Sequence, residues 1–167
     1  NGFGSRKFDE EGHPTQKVKL IENGILKNYL HNTSTAKKFN TTSTGNAGIS
    51  VPRSWNLILE KGDKNFDELI AEVKNGFYIT NSWYTRFTNY RTGDFSTITR
   101  DAMFEIKNGE ITKPVKSLRV SDNMLRILQN ITAVENKSRI IQWWEVESPI
   151  VTGHFLCKDV LMTKPTK

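Results

Sequence analysis

Three histidines and one cysteine are the side chains best suited to metal or nucleophile chemistry in this chain: His13, His31, His154 and Cys157. Only His154-Phe155-Leu156-Cys157 places two of them close together in sequence. On a strand, residues three apart point to opposite faces, so this pair would not chelate one ion. A zinc site needs at least three converging protein ligands. The chain has no His-Glu-x-x-His and no Cys-x-x-Cys. Cys157 therefore reads as a small buried hydrophobe and His154 as a surface or edge residue. Ser96 and Ser148 lack the Gly-x-Ser-x-Gly setting of an activated nucleophile, and no histidine has a recognisable triad partner. Asp9, Glu10 and Glu11 are adjacent in a turn-like segment and read as a solvated charge cluster. No catalytic and no metal-ligating residue is expected within this chain.

The glycine-bearing loops offer a different chemistry. Residues 40–50 are small and polar, a loop by composition. Glycine lets a loop backbone approach a ligand closely. Gly45, Asn46 and Gly48, with Gly93 and Asp94 in a second turn, are the candidates for such an approach. The alternative is that these glycines only make turns. Aromatic residues crowd one region (Trp83, Tyr84, Phe87, Tyr90 and Phe95), and Trp143-Trp144 form another. Adjacent tryptophans on a strand face opposite ways, so one is expected in the core and the other outside or at an interface.

The elements that would position these residues are mostly strands. Asn23-Gly24 between apolar pairs signals a β-hairpin over 17–31, because both central residues of its turn need positive φ. A short helix is expected over 34–39 and a strand over 55–59. Phe66, Leu69, Ile70 and Val73 fall on one helical stripe, predicting a helix over 65–75 that starts at Asp63 or Asn65 and stops at Gly76. Strands follow over 77–80 and 83–90, where alternation is imperfect. A second Asn-Gly pair, Asn108-Gly109, predicts another hairpin, and Pro114 marks a bulge or edge. A strand over 115–120 leads to a second helix over 122–130, capped by Ser121, with Met124, Leu125, Leu128 and Ile131 inward. Strands over 139–146 and 154–162 close the fold. The fold class is α+β and β-dominated: about eight mostly antiparallel strands, in a sheet or barrel-like core, with two short helices.

Length and composition set the bounds. The chain has 167 residues, enough for one ordinary domain, and 1–167 reads as a single domain without repeats. Apolar residues make up 36% and charged residues 25%, which excludes collagen, a disulfide scaffold and wholesale disorder. No apolar run is long enough to span a membrane. A single cysteine fits a reducing compartment. The 24 Lys and Arg against 18 Asp and Glu give a net charge of +6, which invites a nucleic-acid reading. The basic residues are scattered, though, with no run of five like charges, so a solvated basic surface is the simpler reading. The chain begins at Asn1 in a polar, glycine-containing segment, so a fragment of a longer protein is expected.

Several short segments then carry a resemblance. Phe8-Asp9-Glu10-Glu11-Gly12, Leu20-Ile21-Glu22-Asn23-Gly24-Ile25-Leu26-Lys27-Asn28-Tyr29-Leu30, Ala36-Lys37-Lys38 and Ser43-Thr44-Gly45-Asn46-Ala47-Gly48 occur in this order. So do Glu68-Leu69-Ile70, Asn75-Gly76, Thr92-Gly93-Asp94-Phe95-Ser96, Ile106-Lys107-Asn108-Gly109-Glu110-Ile111, Pro114-Val115 and Asn130-Ile131. Their order and spacing over nearly the whole chain resemble the C-terminal domain of the PmbA/TldD family, also labelled "modulator of DNA gyrase". The resemblance implies a cytoplasmic, zinc-dependent peptidase system acting on unfolded or peptide-like substrates. It implies a homodimer, or a heterodimer of a metal-bearing TldD-like subunit with a metal-free one. It places the zinc on a His-Glu-x-x-x-His helix upstream of the matched region, with a further Cys from a glycine-rich segment near the C-terminus. Residues 137–148 contain neither glycine nor cysteine. With the Thr-Gly-Asp-Phe-Ser and Gly-Asn-Ala-Gly forms, this looks more like the PmbA-type, metal-free subunit. The resemblance thus implies zinc in the full-length protein or its partner, and in this domain dimer contact and a groove for an extended peptide, with Gly45, Asn46, Gly48, Gly93 and Asp94 as its candidate walls. A non-catalytic assembly subunit is the alternative, and a basic nucleic-acid binder a third reading.

Overall fold

The computed structural model describes residues 2–116 and 118–164. In chain order the elements are β1 (Ile21–Glu22), β2 (Ile25–Leu26), α1 (Thr33–Lys38), β3 (Leu57–Ile58), α2 (Phe66–Ala71), β4 (Asn75–Asn89), β5 (Asp94–Lys107), β6 (Glu110–Pro114), β7 (Arg119–Asn123), α3 (Met124–Gln129), β8 (Ile131–Val134), β9 (Arg139–Ile141), β10 (Ile150–Thr152), β11 (Phe155–Cys157) and β12 (Met162–Thr163). The β-dominated α+β class is observed, with mostly antiparallel sheets and three short helices rather than two. No helix among the described residues is long and apolar enough to cross a membrane. The chain divides into two compact units, Asn1–Leu59 with Ile140–Val151, and Glu60–Arg139 with Thr152–Lys167.

In the first unit, β1 and β2 form the expected hairpin. Asn23 (φ 50°) and Gly24 (φ 74°) take the left-handed conformation its turn requires. Asn32 caps α1: its side chain accepts from the Thr35 N–H, and the Thr35 hydroxyl accepts from the Asn32 N–H. β3 pairs in parallel with β10, Leu57 opposite Ile150 and Ile58 opposite Val151. The buried apolar side chains among the described residues here are Ala36, Ala47 and Trp55. The predicted strand over 139–146 is shorter, because the chain turns after β9. Trp143 and Trp144 sit in that turn, edge to face at 5.8 Å, with Trp144 exposed.

The second unit is built on the β4–β5 hairpin. β5 pairs with β4 on one side and with β7 and β6 on the other. Phe95, Thr97, Thr99, Met103 and Ile106 of β5 are buried with Leu69 and Val120. The imperfect alternation of the sequence has a structural cause. Asp101 (φ 64°) begins a bulge opposite Thr80, whose hydroxyl donates to the Ala102 C=O (2.9 Å) and accepts from its N–H (3.0 Å). A second bulge places Tyr84 (φ 54°) and Thr85 opposite Thr97. The two segments expected at 77–80 and 83–90 are therefore one bulged strand of 15 residues.

Three helix and strand expectations need correction. α2 starts at its Asn65 cap, in a capping box with Glu68, but ends four residues early. The N–H groups of Asn108 and Gly109 take the carbonyls of Lys74 (2.7 Å) and Val73 (2.9 Å), which draws the chain into β4. Gly76 is a strand residue facing Ile106 and stops no helix. α3 is capped by Asn123, not Ser121, which lies in β7, and its Leu125 and Leu128 are exposed rather than inward. The strand expected over 115–120 forms later, as β7; Ser117 lies outside the described residues.

Asp122 anchors α3 from β7. Its buried carboxylate takes two bonds from the Arg126 guanidinium, one from the Leu161 N–H (2.8 Å) and one from the Asn123 N–H (2.7 Å). Burial pushes its pKa up, but Arg126 and these amides outweigh burial and hold it below the usual value. Replacing Asp122 with Ala leaves these donors without their acceptor. The expected loss is about 2–3 kcal/mol of unfolding free energy, read from the urea midpoint.

Candidate functional site

In the first unit, residues 45–48 are buried and hold a tight loop. Gly45 has φ +68°, and a Cβ there would lie 2.2 Å from the Pro14 carbonyl oxygen. Its own carbonyl accepts from the buried Trp55 indole N–H at 2.8 Å. The Asn46 amide donates to the Arg53 C=O (3.0 Å), while its buried Oδ1 takes no bond among the described residues. The Gly48 N–H donates to the Val51 C=O (3.1 Å), closing a tip at which Ile49 is 99% exposed.

Asp9 organises this loop. It is 3% exposed, so the solvated charge cluster expected of residues 9–11 does not form around it. Its Oδ1 accepts from the N–H groups of Glu11 (3.0 Å) and His13 (2.9 Å), and its Oδ2 from that of Ala47 (2.8 Å). Burial raises its pKa, and the three amides overcome this and lower it. Glu11 is not a free surface charge either. It accepts from the Thr33 hydroxyl (2.5 Å) and N–H (2.8 Å) at the start of α1, and these bonds lower its pKa.

Gly93 and Asp94 belong to the second unit, and each set is described within its own. Gly93 (φ +83°) has its nearest Cβ neighbour at 3.8 Å, so its conformation and not crowding demands glycine. Asp94 accepts from the Asn123 amide (2.8 Å) and the Thr92 hydroxyl (2.6 Å), which lower its pKa. Asn123 also caps α3, so Asp94 links the hairpin turn to that helix.

A cluster that the sequence did not reveal surrounds His154. Glu135, 6% exposed, receives the His154 N–H (3.0 Å) and lies 2.7 Å from His154 Nδ1. The Tyr78 hydroxyl is 3.2 Å from Nε2, the Phe66 ring lies at 4.6 Å, and an Arg139 nitrogen lies 2.7 and 3.0 Å from the two ring nitrogens. His154, expected as a surface or edge residue, is half-buried beside the two-stranded β8–β11 sheet and held in a network. With its proton on Nδ1 it donates to Glu135 and accepts from Tyr78. The bond from the His154 N–H does most to lower the Glu135 pKa, and burial opposes it. The only sequence hint is the i, i+4 spacing of Glu135 and Arg139. Tyr78 is 76 residues away from His154.

These residues do not fit zinc. Both nitrogens of His154 are engaged. Cys157 is half-buried, its thiol donates to the Ile127 C=O at 3.5 Å, and burial pushes its pKa up. A protonated thiol is not a metal ligand. Among the described residues no three potential ligands converge.

A family profile described as "PmbA/TldA metallopeptidase C-terminal domain" matches residues 1–164. The chain belongs to the PmbA/TldD metallopeptidase family. This PmbA/TldD domain is 35% identical over 146 residues to a metalloprotease of Methanothermobacter thermautotrophicus, covering 84% of the chain and 32% of that relative. It is 34% identical over 146 residues to a metalloprotease TldD homolog of Haemophilus influenzae, covering 84% of the chain and 30% of the relative. A PmbA homolog of Buchnera aphidicola is 32% identical over 136 residues, covering 81% of the chain and 29% of the relative. Among solved structures, a Thermotoga maritima protein named for modulating a DNA gyrase superposes with TM-score 0.86 at 32% identity. It covers 97% of this chain and 36% of that one. TldE of Thermococcus kodakarensis shares the fold, with TM-score 0.83 at 23% identity over 95% of this chain and 36% of that one. The chain spans about a third of the length of these relatives.

Asp9→Asn in this PmbA/TldD domain replaces an acceptor with an amide that faces N–H donors. It is expected to cost about 1–3 kcal/mol of stability, with faster hydrogen exchange at Ala47. The pH dependence has a fixed sign. Asp9 and Glu135 both have lowered pKa values in the fold, so their contribution is complete above the unfolded carboxylate range of about 4. It drains as pH falls through that range and below. Urea midpoints measured down the pH scale should fall there, and less steeply in Asp9→Asn.

Proposed function

We propose that this domain serves a PmbA/TldD-type peptidase system by holding a peptide in extended form and contacting a partner subunit, with bond cleavage supplied from elsewhere. The observation that carries this is β4. Over 75–79 it runs in unbroken register with β5, while its outer edge has no strand partner among the described residues. β4 carries one charged residue, Arg86, and no proline. Sheets that must stay bare blunt their edges with charge, proline or shortness. Such an edge takes an added strand through main-chain bonds that ignore sequence.

The groove candidates contribute unequally to this reading. At Gly93 the backbone is half-buried, with Met124 Cβ and Asn123 Nδ2 in ordinary van der Waals range of a Cβ there and Asp94 fixed beside it. Gly45, Asn46 and Gly48 shape the buried base from which Ile49 and Val51 project. The missing glycine and cysteine over 137–148 support the PmbA-like, metal-free assignment, which calls for zinc in the rest of the protein or in a TldD-like partner. A cytoplasmic setting suits the single free thiol. The alternative within this reading is an assembly subunit that contacts a partner and holds no peptide.

A reduced, alkylated polypeptide incubated with the intact protein should slow amide exchange in 75–79. Phe77→Lys, which places a charge at the edge, should weaken its capture about tenfold with little change in melting temperature. Unchanged exchange at 75–79 would remove the peptide-holding role and leave the assembly role.

A further inference from the structure

An open surface cleft in the second unit lies between α2 and the β5–β6 turn. It has a volume of about 410 Å³ and is lined by Phe66, Asp67, Ile70, Gly109, Glu110 and Ile111. That is within the usual span of ligand clefts, roughly 300–1,000 Å³. Its apolar surface comes from Phe66 and Ile70, half-buried, and Ile111, 40% exposed. Its polar surface comes from Asp67 and Glu110. Both carboxylates are exposed, and neither makes a side-chain hydrogen bond or ion pair among the described residues. Their neighbours are committed: Glu68 to the Asn65 N–H, Glu72 to Lys64, Glu105 to Lys107 and Lys113. Asp67 lies in the first turn of α2, where the helix dipole favours a carboxylate, but in a chain with net charge +6 it also shares the rim of one apolar cleft with Glu110.

The walls are fixed before anything binds. The Asn108 and Gly109 N–H groups hold the turn to the end of α2 at 2.7 and 2.9 Å. A Cβ at Gly109 would stand 3.0 Å from the Ala71 carbonyl oxygen, so the turn backbone lies directly against the helix. The Phe66 ring is braced by Tyr78 at 5.2 Å and by His154. A preformed cleft spends little of its binding energy on ordering.

An apolar floor with an anionic rim matches one kind of group: an aliphatic stem ending in a cation. We infer that this cleft binds a lysine or arginine side chain of a partner polypeptide, the stem against Phe66, Ile70 and Ile111 and the charged head between Asp67 and Glu110. A neutral apolar side chain would leave the carboxylates unused, and an anion would be repelled. This goes beyond the edge-strand reading and does not rest on it, since binding is read at α2 and not at β4.

The test uses the intact protein, methyl-labelled at isoleucine, with two blocked pentapeptides: alanines flanking a central lysine, and the same with norleucine. The lysine peptide should shift the Ile111 methyl resonance and bind about three- to tenfold tighter than the norleucine peptide. That preference should shrink as salt is raised from low to about 0.5 M. It should vanish in the Asp67→Asn, Glu110→Gln double variant while norleucine binding is unchanged. Equal affinity for the two peptides, no shift at Ile111, or a lysine preference that survives in the double variant would each overturn the inference. The wild-type comparison alone is decisive should the variant not fold.

Discussion

The second unit depends on β5 satisfying hydrogen bonds on both of its edges while one of its faces goes under cover. β4 takes one edge, and β7 and β6 take the other. A strand paired on both sides has no freedom of register, because a one-residue slip would turn its buried set outward. Two of the buried residues are threonines, and their hydroxyls have fixed partners. Thr99 bonds the Leu118 carbonyl and accepts its N–H, both at 3.0 Å; Thr97 bonds the Trp83 carbonyl at 3.0 Å. A slip would strand these polar groups in the interior. The bulge at Asp101 lets the pairing continue across a change of phase, and the Thr80 hydroxyl supplies the bonds the bulge removes from the ladder.

The first unit is organised differently. Its buried apolar set among the described residues is small, and a carboxylate ties it together. Asp9 accepts three main-chain N–H groups, two from its own turn and one from Ala47 far along the chain. The Trp55 indole N–H pins the same loop through Gly45, with the Arg6 guanidinium 3.8 Å from the ring centre on one face. A loop held by directional bonds keeps one conformation where apolar burial alone would tolerate several. Within it Gly45 admits no side chain because the Pro14 carbonyl oxygen occupies the place of a Cβ, and Ile49 projects from the tip that the Gly48–Val51 bond closes.

Turns were the most legible part of the sequence because their chemistry is local. Asn23-Gly24 and Asn108-Gly109 each need two positive φ values, and few residue pairs supply them. The start of α2 was legible for the same reason, through Asn65 and Glu68. Its end was not, because tertiary bonds from residues 108 and 109 decide it. In sequence β4 reads as two pieces because bulges break its alternation. The acidic run at 9–11 reads as solvated because the donors to Asp9 include an amide 38 residues away. The network around His154 is invisible for a similar reason: Glu135 and Tyr78 meet it only in the fold. Of the groove candidates, their turn-forming role was visible in sequence. Their burial at 45–48 and half-burial at 93 depend on what packs against each.

Recognition of a peptide is a problem separate from cleaving it, and a domain that serves a peptidase has to solve it. Main-chain pairing along an edge binds any extended segment, because every residue offers the same N–H and C=O. It gives affinity and no choice. Choice must come from side-chain contacts beside the edge, and these discriminate most strongly where charge and shape act together. The second unit carries both kinds of surface: a long strand edge with one charged residue, and a cleft with uncommitted carboxylates. Neither alone makes a selective peptide holder. Together they would divide the work, the edge keeping the chain extended and the cleft favouring segments with a cationic side chain.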